Sequence, residues 1–209
     1  MTSAPTLIVL AAGHGARFAG PGHKLEQSLG SHSVLATTLR QALATQLPVL
    51  VVTNEDLAVL ATKHVASRDV LVVSSVPGRF GMGHSIAAGV AARAHSSGWL
   101  LLPADMPLVR PASVLAVAAA LAEHPVAYAQ YRGRRGHPVA FAAELYSELT
   151  ALASDEGARR IVARYPASGV ELDDPGVLLD IDTQADLERV RATYGAALGA
   201  NQALAHSKP

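Results

Sequence analysis

Four short apolar runs punctuate the first half of the chain, at 7–10, 48–53, 69–74 and 99–103. None alternates polar with apolar residues, each has the length of a strand buried on both faces, and the first also has its β-branched content. Between them lie segments of helical period. Residues 34–46 bring Leu35, Leu39 and Leu43 to one face, 55–64 forms a second helix, and an alanine-rich stretch around His84 and Ser85 runs to about Ala94. Strand and helix alternate, which predicts a parallel sheet covered on both sides.

The second half changes pattern. A helix is expected from near Pro111, followed by strands at 126–130 and 137–141 around the glycine-containing turn 132–136. A tight hairpin cannot continue a parallel sheet, so mixed pairing is expected there. A short helix at 155–164, strands at 169–172 and 177–181, and a closing helix at 184–194 complete the reading. Residues 1–194 are expected to form one domain, with 195–209 a loosely packed tail.

Composition narrows the function classes. Half of the 209 residues are hydrophobic, formal net charge is +0, and cysteine is absent. A sizeable core is available, while a disulfide or a thiolate metal site is excluded. No basic stripe with interleaved aromatics marks a nucleic-acid binder. No basic leader or membrane-length apolar run is evident, so a cytoplasmic protein without membrane contact is expected.

The densest chemistry follows the first strand. Gly13, Gly15, Gly20 and Gly22 share a loop with Arg17 and Lys24. Glycines let backbone N–H groups approach an anion, and two cations make a phosphate a natural guest. The dinucleotide fingerprint fails, because its third glycine position holds Phe18. The P-loop also fails, since Lys24 follows His23 and precedes Leu25. On residues alone, a solvated turn-rich loop remains an equal reading. Asp105 lies just past the 99–103 run and suits either a Mg²⁺ ligand or the cap of the helix near Pro111. Asp182 with Thr183 could likewise cap the last helix. Arg132 and Arg134 read as a solvated hairpin tip. None of the nine histidines makes an H-x-H pair or an H-E-x-x-H helix.

Leu10-Ala11-Ala12-Gly13 followed by Arg17-Phe18 and Lys24 resembles the MobA-like nucleotidyltransferases, and within them the molybdenum cofactor cytidylyltransferases. Gly81-Met82-Gly83-His84-Ser85, Ala104-Asp105-Met106-Pro107, Arg135-Gly136-His137-Pro138-Val139, Asp155-Glu156-Gly157-Ala158-Arg159 and Asp180-Ile181-Asp182-Thr183 follow in the family's order. The loop between Arg17 and Lys24 is longer than the family's usual spacing. The resemblance implies a three-layer α/β/α Rossmann-like nucleotidyltransferase fold with a mostly parallel mixed sheet. It implies transfer of a nucleoside monophosphate from an NTP, with CTP preferred, to the phosphate of a molybdopterin acceptor, for delivery to a molybdoenzyme client. Arg17, Lys24 and Asp105 would be catalytic, and Asp105 and Asp182 would hold Mg²⁺. Leu10, Ala11, Ala12, Gly13, Gly81, Gly83, Ser85, Pro103 and Ala104 would line the nucleotide with Arg17 and Lys24; His84, Arg135 and His137 would meet the acceptor. The alternatives are a guanylyl or sugar-phosphate nucleotidyltransferase of the same fold, a non-catalytic nucleotide-binding regulator, and a dinucleotide-dependent oxidoreductase.

Overall fold

The apolar runs become the centre of one seven-stranded sheet. The computed structural model describes residues 4–74, 81–153 and 157–206, with side chains described as far as 196. In chain order the first half holds β1 (Thr6–Ala11), the small hairpin β2 (Ser28–Leu29) and β3 (His32–Ser33), and α1 (Val34–Ala44). It continues with β4 (Val49–Thr53), α2 (Glu55–Thr62), β5 (Val70–Val72), α3 (Met82–Ala92) and β6 (Gly98–Pro103). The second half holds α4 (Pro111–Ala119), β7 (Val126–Tyr131), β8 (Arg134–Ala142), α5 (Tyr146–Thr150), α6 (Arg159–Arg164), β9 (Ala167–Glu171) and α7 (Gln184–His206).

The strand order is β5-β4-β1-β6-β8-β7-β9. β8 runs antiparallel to β6 and β7, while the other pairings are parallel. Chain order reverses between β1 and β6, where Leu10 pairs with Pro103. In an open α/β sheet a crevice opens at such a switch point, outside the carboxyl ends of the strands.

Side-chain alternation along β1 explains the three layers. Leu7, Val9 and Ala11 join Leu35 and Leu39 of α1, Val114 and Val117 of α4, and Leu187 and Val190 of α7. Ile8 faces the other way, into a cluster with Ile86 and Val90 of α3, Leu149 of α5 and Ile161 of α6. Fully burying one such side chain is worth roughly 1.5–3 kcal/mol.

Several expectations shift. The 177–181 strand is absent: Pro175–Leu178 is a 3-10 turn, with Asp174 accepting from the Gly176 N–H. Pro175 suits the first position of that turn, where its missing N–H costs nothing, and the capped turn takes up Val177 and Leu178. The closing helix continues past Tyr194 to His206. The β2–β3 hairpin and α5 were not foreseen; both are too short to show a period. The β7–β8 turn is only Arg132 and Gly133, both at positive φ (49° and 73°), as a two-residue hairpin of the primed type requires. The 77–80 segment and the first two residues of the expected 155–164 helix lie outside the described residues.

Candidate functional site

The loop after β1 is folded back on itself by His23. Its Nδ1 accepts from the Leu25 N–H at 3.1 Å, so Nε2 carries the proton and donates to the Gly13 carbonyl at 2.9 Å. Phe18 packs into the core beside α7 and pins the loop's middle. Gly15 has φ +64°, and a Cβ there would come within 3.3 Å of Lys24 Cγ. Glycine at 15 therefore serves both the turn and the path of Lys24.

That path ends at two carboxylates. Lys24 Nζ lies 2.6 Å from Asp105 Oδ2 and 3.0 Å from Asp182 Oδ1. The longer loop thus brings the lysine to the crevice. Burial alone would lower the Lys24 pKa, but attraction and hydrogen bonds from Asp105 and then Asp182 outweigh it and hold the ammonium above its ordinary 10.5. Arg17 reaches the other Asp182 oxygen at 2.8 Å, its side chain 79% exposed.

Asp105 is set by the turn after β6. The Ala104 N–H donates to the Leu10 carbonyl at 3.0 Å, extending the β1–β6 ladder, and the Ala104 carbonyl accepts from Thr38 Oγ1 at 2.7 Å. The helix after it does not need Asp105 as a cap. Buried Asp174 takes that role from a distance, accepting from the Arg110 N–H at 2.9 Å and Ser113 Oγ at 2.6 Å. Asp182 is likewise relieved of capping. Thr183 and Asp186 form a reciprocal box, with N–H to side-chain distances of 2.9 and 3.2 Å.

The two acidic segments are locked together. The Ile181 N–H donates to the Asp105 carbonyl at 3.1 Å, and a Cβ on Gly136 would lie 2.1 Å from the Val177 carbonyl oxygen. Only glycine permits that approach of β8 to the 175–178 turn.

Asp105 Oδ1 is buried and has no hydrogen-bond partner. An unsatisfied carboxylate oxygen beside a second carboxylate fits a hard divalent cation, which takes one or two carboxylates and completes its shell with phosphate and water. Among the described residues no group of three or more His, Cys, Asp or Glu forms a richer cage. The site offers a metal two carboxylates, Asp105 and Asp182.

These residues line one cleft of about 800 Å³. Leu10, Ala11, Ala12, Gly13, Arg17, Lys24, Gly81, Ser85, Pro103, Asp105, Arg135, His137 and Asp182 all reach it. Gly83, His84 and Ala104 do not line it. Gly83 is buried in the first turn of α3, Ala104 is spent on the backbone contacts above, and His84 Nδ1 accepts from the Gly81 N–H at 3.4 Å. Arg134, Arg159 and Asp180 line it without having been assigned there. Arg159 and Asp180 stand inside the family-like motifs, so the signal is in the sequence; Arg134, expected at a solvated hairpin tip, lines the cleft instead. Burial first, then repulsion from Asp105, Asp182 and Asp186, raises the Asp180 pKa above 3.8. Burial pushes the His137 imidazole down to about 4, with Asp180 pulling upward and Arg159 pushing further down. His137 is therefore a neutral ring near pH 7.

The model for the MobA-like NTP transferase domain matches residues 7–170. The chain belongs to the MobA-like NTP transferase family. That range takes in Arg17, Lys24, Asp105 and His137, while Asp180 and Asp182 lie beyond it. The chain is 34% identical over 116 residues to the purine catabolism protein PucB of Bacillus subtilis, a match covering 53% of this chain and 56% of PucB. It also resembles Rv0371C of Mycobacterium tuberculosis in its manganese complex, with TM-score 0.76 and 25% identity over 92% of this chain and all of that one. A nucleotidyl transferase from Methanothermobacter shares the fold at TM-score 0.78 and 24% identity, covering 93% of this chain and 99% of its own. The fold is thus that of the nucleotidyltransferases, and the family's activity is nucleotidyl transfer. Among the described residues no helix is long and apolar enough to cross a membrane.

Proposed function

We propose that the chain is a Mg²⁺-dependent cytidylyltransferase that moves CMP from CTP to the phosphate of a molybdopterin acceptor. The observation that carries the nucleotidyl part is the Lys24 ammonium held between Asp105 and Asp182, with Asp105 Oδ1 left unsatisfied, at the sheet's switch point. An acceptor phosphate oxygen forms a bond to the α-phosphorus as the bond from that phosphorus to the β-bridging oxygen breaks, and pyrophosphate departs. Backbone N–H groups around Gly13 and the Arg17 guanidinium hold the triphosphate, and Lys24 neutralises charge building at the α-phosphoryl group. Asp105 and Asp182 would hold Mg²⁺, which supplies charge neutralisation and orients phosphate oxygens. The acceptor needs no general base, because a phosphate oxygen is already ionised at neutral pH.

The pterin acceptor rests on the motif resemblance, and the apolar wall of the cleft (Ile86, Val139, Phe141) is compatible with a flat heterocycle. The likeness to a purine catabolism protein supports a client in purine breakdown, and the motif resemblance supports that client being a cytoplasmic molybdoenzyme. The test is pyrophosphate release from each NTP, with and without a pterin phosphate acceptor, in Mg²⁺ and in Mn²⁺. Acceptor-dependent release with CTP above GTP is expected. Release independent of any acceptor, or none with any NTP, defeats the reading.

A further inference from the structure

Gly13, His14, Gly15 and Lys24 line the cleft, while His23 stands behind its wall. From there one ring holds both ends of the lengthened loop. The Nε2–H donates to the Gly13 carbonyl at 2.9 Å, and Nδ1 accepts from the Leu25 N–H at 3.1 Å. The ring's own backbone is held in turn. The His23 N–H donates to Glu26 Oε2 at 3.4 Å, and Gln27 Nε2 donates to the Pro21 carbonyl at 2.6 Å.

Each ring bond sets one group at the cleft. In a trans peptide the C=O and the N–H that follows it point opposite ways. Drawing the Gly13 carbonyl back to His23 therefore turns the His14 N–H toward the cleft, and among the described residues that N–H makes no backbone hydrogen bond. Open space lies over Gly13, where a Cβ would meet nothing within 4 Å. At its other nitrogen, His23 caps the short turn Lys24–Glu26. With Leu25 buried in the core, that cap fixes the direction from which Lys24 reaches Asp105.

We infer that His23 is a positioning residue for nucleotidyl transfer: its imidazole turns the His14 N–H toward the triphosphate and aims Lys24 at the α-phosphoryl group. The role rests on the nucleotidyltransferase reading for its ligand, and on the two ring bonds for its existence. A peptide whose carbonyl faced the cleft would repel a phosphate, whereas an N–H attracts one. Lys24 acts at the reacting atoms, so a shift of about 1 Å in its ammonium can cost ~10²-fold in rate.

Two substitutions each keep half of the ring's bonding. His23→Asn sets an oxygen near the place of Nδ1, which can accept from the Leu25 N–H, but its amide stops short of Gly13. His23→Gln sets an NH₂ near the place of Nε2, which can donate to the Gly13 carbonyl, but leaves the Leu25 N–H without its acceptor. His23→Asn should weaken inorganic tripolyphosphate binding and raise KM for CTP by about fivefold, with kcat within about twofold. His23→Gln should hold tripolyphosphate affinity and KM within about twofold and lower kcat by about tenfold. In protein carrying ¹⁵N-labelled histidine, the neutral imidazole whose signals vanish in His23→Asn should show a protonated Nε2 and a bare Nδ1. The opposite tautomer overturns the role. So do two variants that match the wild type, or that lose affinity and kcat together in step with their unfolding midpoints. If the wild type releases no pyrophosphate with any acceptor, the nucleotidyltransferase reading falls, and the tautomer and tripolyphosphate measurements still decide what His23 holds.

Discussion

The amino-terminal loop and the 174–182 segment supply the two sides of one ion cluster, but they are built in opposite ways. The loop is local. Its strand, glycines, arginine and lysine lie within residues 6–24, and His23 closes it on Gly13 ten residues away. The 174–182 segment has no regular structure beyond one 3-10 turn, and distant partners hold it in place. Asp174 fastens it to Arg110 and Ser113, and Ile181 fastens it to Asp105. A local element carries its chemistry in consecutive letters. A segment held from afar carries it in residues that mean nothing until the partners are known.

The sharpest way to break this comparison is at the residue both regions touch. Asp105→Ala should lower metal-dependent turnover by about 10³-fold, comparable to removing a main transition-state stabiliser. Replacement at a turn removes no core volume, but it takes from Lys24 the nearer of its two carboxylates, so the unfolding midpoint should fall modestly while the fold survives. Turnover and a metal titration close to wild type would show that the orphaned oxygen is not used. Lys24→Met comes next, at about 10²-fold on kcat with a smaller rise in KM for the NTP. It also leaves Asp105 and Asp182 facing each other without a cation, so the metal-free protein should lose stability. The raised Lys24 pKa sets the pH window. Its contribution is complete below 10.5 and fades only as pH climbs through the higher folded value, so Lys24 should cause no stability change from about pH 6 to 9.

Asp174 tests the distant-partner side directly. Asp174→Asn puts an NH₂ where an oxygen now accepts from the Gly176 N–H or from Arg110 and Ser113, which should cost roughly 1–3 kcal/mol. Because Asp182 rides on that segment, the variant should also need more metal for half-maximal turnover, while Mg-free CTP affinity holds. An unchanged metal requirement with lowered stability would make Asp174 a helix cap and nothing more.

What the sequence disclosed follows the same division. The parallel strands β1, β4, β5 and β6 could be read because buried parallel strands are continuous apolar runs, and Leu7 to Leu10 is one. Asp105 stands out because it lies just past such a run, and Lys24 because it shares the glycine-rich loop that follows another. Asp180 and Arg159 sat in recognised motifs yet received no role, since neither shows by spacing which wall it will face. The 177–181 stretch was misread for a related reason. Val177, Leu178, Leu179 and Ile181 are apolar as a strand would be, but Val177 and Ile181 enter the core as parts of a turn fixed by Asp174 and Pro175.

His137 gives a prediction measured in pH. Its folded pKa is depressed to about 4 from 6.5, so between those values the unfolded chain binds a proton that the fold refuses. Stability should therefore fall as pH drops through that window, by roughly 3 kcal/mol in all, with no contribution above about 6.5. His137→Gln should flatten that part of the profile. A His137 proton resonance with a midpoint near 6.5 would contradict the enclosed, neutral ring.

The smallest effect expected lies in the local region and concerns which base it accepts. Ala12 follows β1, lines the cleft, and is partly buried. The Ala11-Ala12-Gly13 form resembles the cytidylyltransferase branch, whereas the guanylyltransferase branch typically carries glycine at the position matching Ala12. A Cβ at residue 12 limits how near a base can come to the backbone, and a purine loses more by that limit than a pyrimidine. One methyl group gives modest leverage, about 1 kcal/mol and at most ~3. Ala12→Gly should therefore move the CTP-to-GTP ratio of kcat/KM toward GTP by several-fold, without reversing it and without disturbing Lys24 or Asp105. The measurement is that ratio for both proteins with one pterin phosphate acceptor. A ratio unmoved by the substitution would place base selection elsewhere, in the α3 side of the cleft around Gly81 and Ser85. Equal or better use of GTP by the unmodified protein would remove the cytidylyl assignment, and the nucleotidyltransferase site built on Lys24, Asp105 and Asp182 would stand without it.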